Sequence, residues 1–451
     1  MAEDLRRPRP WNHRRALGRP GRDRRDPERA RGETVKGRAL AALASLLLAL
    51  SLAAPAAARP VVILLSLDGV RYDYLDRDRL PAFERIAREG ARAEALVPIF
   101  PSTTFPNHVA LATGAPADVH GIVANKFLDA RLGEFDYGND ARFLDAEPLW
   151  AAAERQGVHA AVYFWVGSET DWHGTGARYR KTPFDTRVSE KQKVEQILAW
   201  LDLPEAERPG LVMAWWHGAD HAGHEHGPDA RATHDALREQ DHVLGTLLAG
   251  LDARKAWGAT TLLIVSDHGM TAYTRTLEVG PVLAEAGIRA RVIHSLATAQ
   301  IHLSQPEQAA RAVEVLRTIP NLTAWRREEI PEALRYRNPR VGDVLALAAP
   351  PLALMPGSDP SARFGSLARL FGRTFGAHGY DPARVPEMQG IFVALGRGVP
   401  KGVRLPRLSA LDVAPTVARL LGIGPPASSE GAALAELTPS PPPAPLPSAA
   451  R

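Results

Sequence analysis

Val61–Leu67 reads VVILLSL, and Asp68-Gly69 follows at once. The run carries no charge and contains β-branched residues. Neither face is polar, so it fits a strand covered on both sides, as in a parallel sheet sandwiched between helices. Working outward, similar apolar runs predict strands at 160–164, 211–215, 260–265 and 390–394. Between them, helical patterns fall at 81–89, 148–156, 191–201, 230–251 and 306–318. This alternation predicts an α/β fold with a doubly wound, mostly parallel sheet and helices on both faces. The pattern weakens between about 270 and 375, where an inserted subdomain is expected. No repeat of 20–50 residues is visible.

Composition narrows the classes. The chain has 451 residues, 45% hydrophobic and 24% charged, which is globular composition and excludes a wholly disordered chain. Its 37 glycines have no regular period, which excludes collagen. It has no cysteine, which excludes disulfides, thiolate zinc sites, iron–sulfur clusters and a cysteine nucleophile. The net charge of +4 misleads, because residues 1–38 hold 13 Lys/Arg and 6 Asp/Glu, leaving −3 for the rest. The body gives no electrostatic case for a nucleic-acid partner.

The first 58 residues read as delivery. After a basic extension at 1–38, residues 39–58 read ALAALASLLLALSLAAPAAA, an apolar stretch ending in small residues. This is a secretory signal pattern, with cleavage expected after Ala58. Retained, it would be long enough to anchor the chain in a membrane. Either way the body is exported. Residues 1–34 are long for a signal's charged region, and a downstream start at Val35 would account for them. The expected catalytic domain spans 59–430, and the Pro/Ala-rich stretch 431–451 is expected to be a disordered tail.

Polar residues follow the apolar runs. Asp68 ends the first, and Asp267-His268 ends the run at 260–265. Open α/β sheets collect ligands at the carboxyl ends of their strands, although an Asp-Gly alone reads as a turn. In ADHAGHEH, residues 219–226, Asp220 and His224 stand at i, i+4 on one side of a helical turn. The same histidines also suit a solvated surface patch. His378 sits among glycines in GAHG. Two ligand sets can be built: Asp220, His224 and His378 for one zinc, and Asp68, Asp267 and His268 for a second. Imidazole with carboxylate and no thiolate fits catalytic zinc, and magnesium would take fewer histidines. In FPSTTFPNH, residues 100–108, Thr103 and Thr104 precede a helical stretch. They read either as helix caps or as a hydroxyl nucleophile beside metals. Asn125 of HGIVAN can donate to a phosphoryl oxygen.

The ordered set SLDGVRYDYL, FPSTTFPNH, TGAPADVHGIVAN, EPLW, DHAGH, SDHGM and GAHGYD resembles the nucleotide pyrophosphatase/phosphodiesterase family of the alkaline phosphatase superfamily. The resemblance runs from about Val61 to Ile423. It implies two zinc ions per chain and a covalent mechanism. Thr104 would be the nucleophile and would also touch the zinc held by Asp68, Asp267 and His268; the other set would hold the second zinc. Asn125, with a backbone N–H, would receive the non-bridging phosphoryl oxygen. The implied cycle is attack by Thr104 on a diester phosphorus, release of the leaving group and hydrolysis of the phospho-threonine, giving a nucleoside monophosphate from a nucleotide. Phe105 resembles the aromatic that forms one wall of the substrate pocket, and Phe184 of KTPFD falls where a tyrosine often stands. WVGSE, residues 165–169, has Val166 in place of the usual proline, and WWHGA precedes Asp220 where Glu-Pro is common.

The leading expectation is therefore an exported phosphodiesterase acting on small-molecule phosphodiesters or nucleotides. No arginine lies between Ile99 and Asp118 to clamp a dianionic monoester, which favours diesters. The alternatives are a choline-type lipid-headgroup phosphodiesterase, a phosphomonoesterase of the same superfamily, and a non-catalytic periplasmic metal-binding protein.

Overall fold

The computed structural model describes residues 59–359 and 374–437. The basic extension 1–38, the apolar segment 39–58, residues 360–373 of the expected insertion and residues 438–451 of the expected tail lie outside the described residues.

The central sheet has eight strands: β1 (Val61–Leu67), β2 (Ala91–Ala93), β3 (Ala160–Tyr163), β4 (Tyr179–Lys181), β5 (Leu211–Trp216), β6 (Thr260–Val265), β7 (Phe392–Gly396) and β8 (Val403–Leu405). Their order is β8-β2-β7-β6-β1-β5-β3-β4. From β6 to β4 every pairing is parallel. Only β7 is reversed, antiparallel to both β6 and β2, while β2 and β8 pair in parallel. The sheet is thus mixed but mostly parallel. The run expected at 390–394 begins its ladder two residues later, because Gly390 instead bridges Arg71 and Leu96.

β1 explains why the sheet is covered on both faces. Val62 and Leu64 join one apolar cluster, and Val61, Ile63, Leu65 and Leu67 join another. Each fully buried aliphatic side chain contributes about 1.5–3 kcal/mol, so one strand anchors both layers. The first layer holds α2 (Thr104–Thr113), α3 (Leu149–Arg155) and α7 (Val413–Leu421). The second holds α1 (Pro81–Glu89), α4 (Glu190–Leu201) and α6 (Arg231–Ala253). α5 (Gly218–His226) follows β5 directly. Within the expected insertion, four strands (Ala290–Ser295, Thr298–Leu303, Leu322–Arg326 and Val344–Ala348) form a separate antiparallel sheet. Helices Val279–Glu285 and Ala309–Arg317 pack over its own apolar cluster.

The packed body runs past the expected boundary at 430. Leu434 and Leu437 are buried in the first cluster, and the Leu434 N–H donates to Thr416 Oγ1 at 2.9 Å. Residues 431–437 thus lie against α7 through Leu434 and Leu437.

Candidate active site

Three neighbouring parallel strands deliver the polar cluster. Leu67 of β1 pairs with Trp216 of β5, and Ser66 pairs with Val265 of β6. Their carboxyl ends therefore release Asp68, the 217–220 turn and Asp267 side by side. Gly69 has φ +69°, and a Cβ there would lie 2.8 Å from Asp220 Cα. Glycine is needed for that close approach, which brings Asp220 up to Asp68. His378 arrives from elsewhere, at the end of strand Phe375–Ala377, which pairs with Thr271–Tyr273.

The two expected ligand sets meet in one place. Asp220, His224 and His378 each offer an atom within 4.8 Å of the others, and so do Asp68, Asp220 and His268. Asp267 Oδ2 lies 3.2 Å from His268 Nε2. The Asp220 carboxylate thus borders both sets, which the sequence assigned to one only. The His268 ring stacks on His378 with centroids 3.7 Å apart.

The imidazoles are oriented for ligation. Backbone carbonyls can only accept, so His224 donates Nδ1–H to Gly376 (3.0 Å), His378 to Ser102 (3.1 Å) and His268 to Gly269 (2.9 Å). Each Nε2 is left to face the cluster. The Nε2 atoms of His224 and His378 are 3.1 Å apart, and His268 Nε2 is 3.4 Å from Asp68 Oδ1. Lone pairs aimed at lone pairs and carboxylates repel unless positive charge lies among them. Asp68 Oδ1, Asp220 Oδ1 and Asp267 Oδ2 are buried without a hydrogen-bond partner among the described residues. Burial, then the charges of Asp267 and Asp220, push the Asp68 carboxyl well above its usual range. Burial, with His268 and His224 adding to it, holds His378 well below the ordinary imidazole value. This donor set fits divalent cations.

Thr104 is the first residue of α2. Its Oγ1 lies 3.3 Å from His268 Nε2, and Thr103, the preceding residue, makes no side-chain cap. The capping reading is therefore not what the structure displays. Asn125 Oδ1 accepts the Phe105 N–H at 2.9 Å. That bond ties the Asn125 amide oxygen to the first turn of α2, one residue after Thr104. Phe105 is buried, edge-on to Phe135 and Tyr137. Phe184 is half-buried and stacks on Trp215 with centroids 4.7 Å apart.

Several supporting residues were not singled out from the sequence. Trp215 donates Nε1–H to Asp68 Oδ2 at 3.0 Å. His108 Nδ1 meets the Thr104 carbonyl at 2.9 Å and Asp267 Oδ2 at 3.4 Å. Asn107 accepts from Ile99 N–H and donates to Pro101 and Thr103 carbonyls, folding the loop before α2. Glu169 Oε1 accepts from Asn139 and from the Phe184 N–H. The available signal was position: Asn107 and His108 stand one turn after Thr104 on the same helix.

Comparison with known proteins agrees with this architecture. Residues 62–381, more than half the chain, match the family described as Type I phosphodiesterase / nucleotide pyrophosphatase. A relative from Schizosaccharomyces pombe, called an uncharacterized pyrophosphatase/phosphodiesterase, is 32% identical over 352 residues, covering 74% of this chain and 71% of its own. Human ectonucleotide pyrophosphatase/phosphodiesterase family member 5 is 30% identical over 372 residues (80% and 74% of the two chains). Bis(5'-adenosyl)-triphosphatase enpp4 of Xenopus laevis is 29% identical over 377 residues (81% and 78%). The solved structure of the mouse family member 5 superposes with a TM-score of 0.73 at 29% identity, covering 80% of this chain and 95% of that one. An inactive threonine-to-alanine variant of the mouse protein in complex with AMP matches equally well, with TM-score 0.73, 29% identity and coverage of 81% and 95%. With an alkaline-phosphatase-like α/β fold and this hydrolytic, metal-dependent relationship, the chain belongs to the type I phosphodiesterase / nucleotide pyrophosphatase family.

Proposed function

We propose that this chain is an exported two-zinc phosphodiesterase/nucleotide pyrophosphatase that cleaves phosphodiester or phosphoanhydride bonds through a phospho-threonine on Thr104. The observation that carries the reading is the position of Thr104 Oγ1, 3.3 Å from His268 Nε2 at the edge of a buried cluster of acceptors. Asp68, Asp267, His268 and Thr104 would hold one zinc, and Asp220, His224 and His378 the other. When bound, such cations lower the pKa of a hydroxyl and offset charge on the attacking and leaving oxygens. Thr104 Oγ forms the bond to phosphorus as the leaving-group oxygen departs, and water later cleaves the threonine ester. Asn125, held by the Phe105 N–H, presents its amide to the non-bridging oxygen, where negative charge grows. Phe105 and Phe184 are assigned to the substrate pocket.

Support comes from the relatives: one is named for diadenosine triphosphate hydrolysis, and another was captured with AMP. The inactive variant there replaces a threonine with alanine. The substrate would accordingly be a small nucleotide, with a nucleoside monophosphate as product and no nucleic-acid partner. Export is supported by relatives named as ectonucleotide enzymes. Among the described residues no helix is long and apolar enough to cross a membrane.

The test uses zinc-loaded protein and a panel of nucleotide, choline and simple aryl diesters with an aryl monoester. Nucleotide diesters are expected to lead in kcat/KM. Thr104→Ala should reduce turnover at least about 1,000-fold with zinc content retained. A faster choline ester or monoester, or full activity in the variant, would overturn the assignment.

A further inference from the structure

His108 closes a ring of contacts around Thr104. Its Nδ1 lies 2.9 Å from the Thr104 carbonyl and 3.4 Å from Asp267 Oδ2. Asp267 Oδ2 in turn lies 3.2 Å from His268 Nε2, which lies 3.3 Å from Thr104 Oγ1. Thr104 is therefore reached from two sides, at its hydroxyl by His268 and at its carbonyl by His108. The Asp267 carboxylate is common to both imidazoles. Local structure explains the reach: Thr104 and His108 stand at i, i+4 on α2, and helical side chains lean back over the preceding turn.

The carbonyl can only accept, so the proton sits on His108 Nδ1 and is directed toward Thr104, with Asp267 alongside. Nε2 is buried without a hydrogen-bond partner among the described residues. The ring is fully buried against Trp165 and Trp215, at centroid distances of 5.2 and 5.1 Å. The Trp165 indole N–H holds the His108 carbonyl at 2.9 Å. An apolar side chain would fill that space and leave no orphaned nitrogen. What imidazole adds there is the Nδ1–H, and it adds it despite the unsatisfied Nε2.

We propose that His108 is a positioning residue whose Nδ1–H pins the first turn of α2 to Asp267, fixing the Thr104 hydroxyl against the atoms that would hold a cation. The inference rests on the reading that Thr104 attacks phosphorus. It gives a role to a side chain that belongs to neither ligand set.

The experiment compares two variants. His108→Leu fills the space without a donor, whereas His108→Asn offers an amide N–H in place of Nδ1–H but leaves part of the space empty. Turnover of a nucleotide diester is measured on zinc-loaded protein, together with Tm and with zinc affinity by chelator competition. His108→Leu is expected to lose about 10–100-fold in kcat, with KM within about twofold of wild type. His108→Asn is expected to turn over faster than His108→Leu although its Tm is lower, because positioning and packing rank the two variants in opposite order. Wild-type kcat in His108→Leu, a loss confined to KM, or slower turnover in His108→Asn than in His108→Leu overturns the proposal. If neither variant folds, nitrogen NMR of the wild type decides: a proton on His108 Nδ1 supports the role, and a proton on Nε2 alone removes it. Should the wild type hydrolyse no nucleotide diester, the phosphodiesterase reading fails separately. Zinc affinity then decides on His108: binding about tenfold weaker in His108→Leu than in His108→Asn supports its role, and equal binding overturns it.

Discussion

Trp215 serves two parts of the site with one side chain. Its indole N–H bonds Asp68 Oδ2 at 3.0 Å, and its ring face carries Phe184 at 4.7 Å. Burial works against an anionic Asp68, whereas the indole bond favours it. Trp215→Phe keeps an aromatic under Phe184 but deletes the donor. Partners that orient a metal ligand are typically worth 10–100-fold in affinity, so about that loss of zinc affinity is expected. Competition against a chelator of known affinity measures it, and unaltered affinity would dissociate Trp215 from the cation site. This pairing was not legible in the sequence, because WW at the end of an apolar run reads as strand core. Its polar partner lies 147 positions away. Asp68, Asp267, His268 and Thr104 were legible for the opposite reason. Each is a polar or hydroxyl residue abutting an apolar run or a helix start, a conflict with burial that shows without coordinates.

Strands and turns fix where those residues arrive. β1, β5 and β6 were readable as elements because burial on both faces makes them continuous apolar runs. β2, β4 and β8 have three residues each, too few to display a period. β2 even carries Arg92, buried and paired with Asp76. The reversal of β7 was not readable either, since strand direction is set by pairing and not by composition. Turns permit a sharper experiment. Gly69 and Gly133 both have positive φ, but a Cβ at Gly69 would strike Asp220 Cα at 2.8 Å, while one at Gly133 would meet nothing within 4 Å. Gly133→Ala therefore costs only the backbone strain, about 1 kcal/mol. Gly69→Ala adds displacement of Asp220 from Asp68, so zinc content and turnover should fall together with stability. Thermal unfolding and metal analysis of both variants check this. Equal zinc content in the two would show that the nested turns do not set the cluster.

At the scale of the whole molecule, the site depends on contacts between distant segments. Arg340, just before strand Val344–Ala348, donates to the Gly121 and Phe143 carbonyls and pairs with Asp129. Tyr336 Oη donates to the Val123 carbonyl at 2.6 Å. The loop bearing Asn125 is thus braced by residues more than 200 positions away, which no local pattern reveals. The acidic and imidazole cluster likewise joins three strand ends with His378, so its acceptors repel one another across the fold, a repulsion that bound cations would balance. In the metal-free protein Asp68 has a raised pKa, so its folded state retains a proton that the unfolded chain gives up. The sign follows: that group's contribution to stability is present at acid pH and is lost as pH rises through the folded value. On the proposed two-zinc reading the metal would require the anionic carboxylate, so binding would displace this proton and strengthen with pH. His378 is already neutral below the usual imidazole range and does not oppose this. At a thousandfold excess over Kd, zinc should stabilise the protein by about 4 kcal/mol. The difference in Tm between zinc-loaded and chelator-treated protein should therefore increase with pH across the interval in which both forms stay folded. Scanning calorimetry across that interval, at fixed free zinc, supplies the test. A difference independent of pH would mean that no proton leaves Asp68 on binding, and the cation would have to be held by other groups.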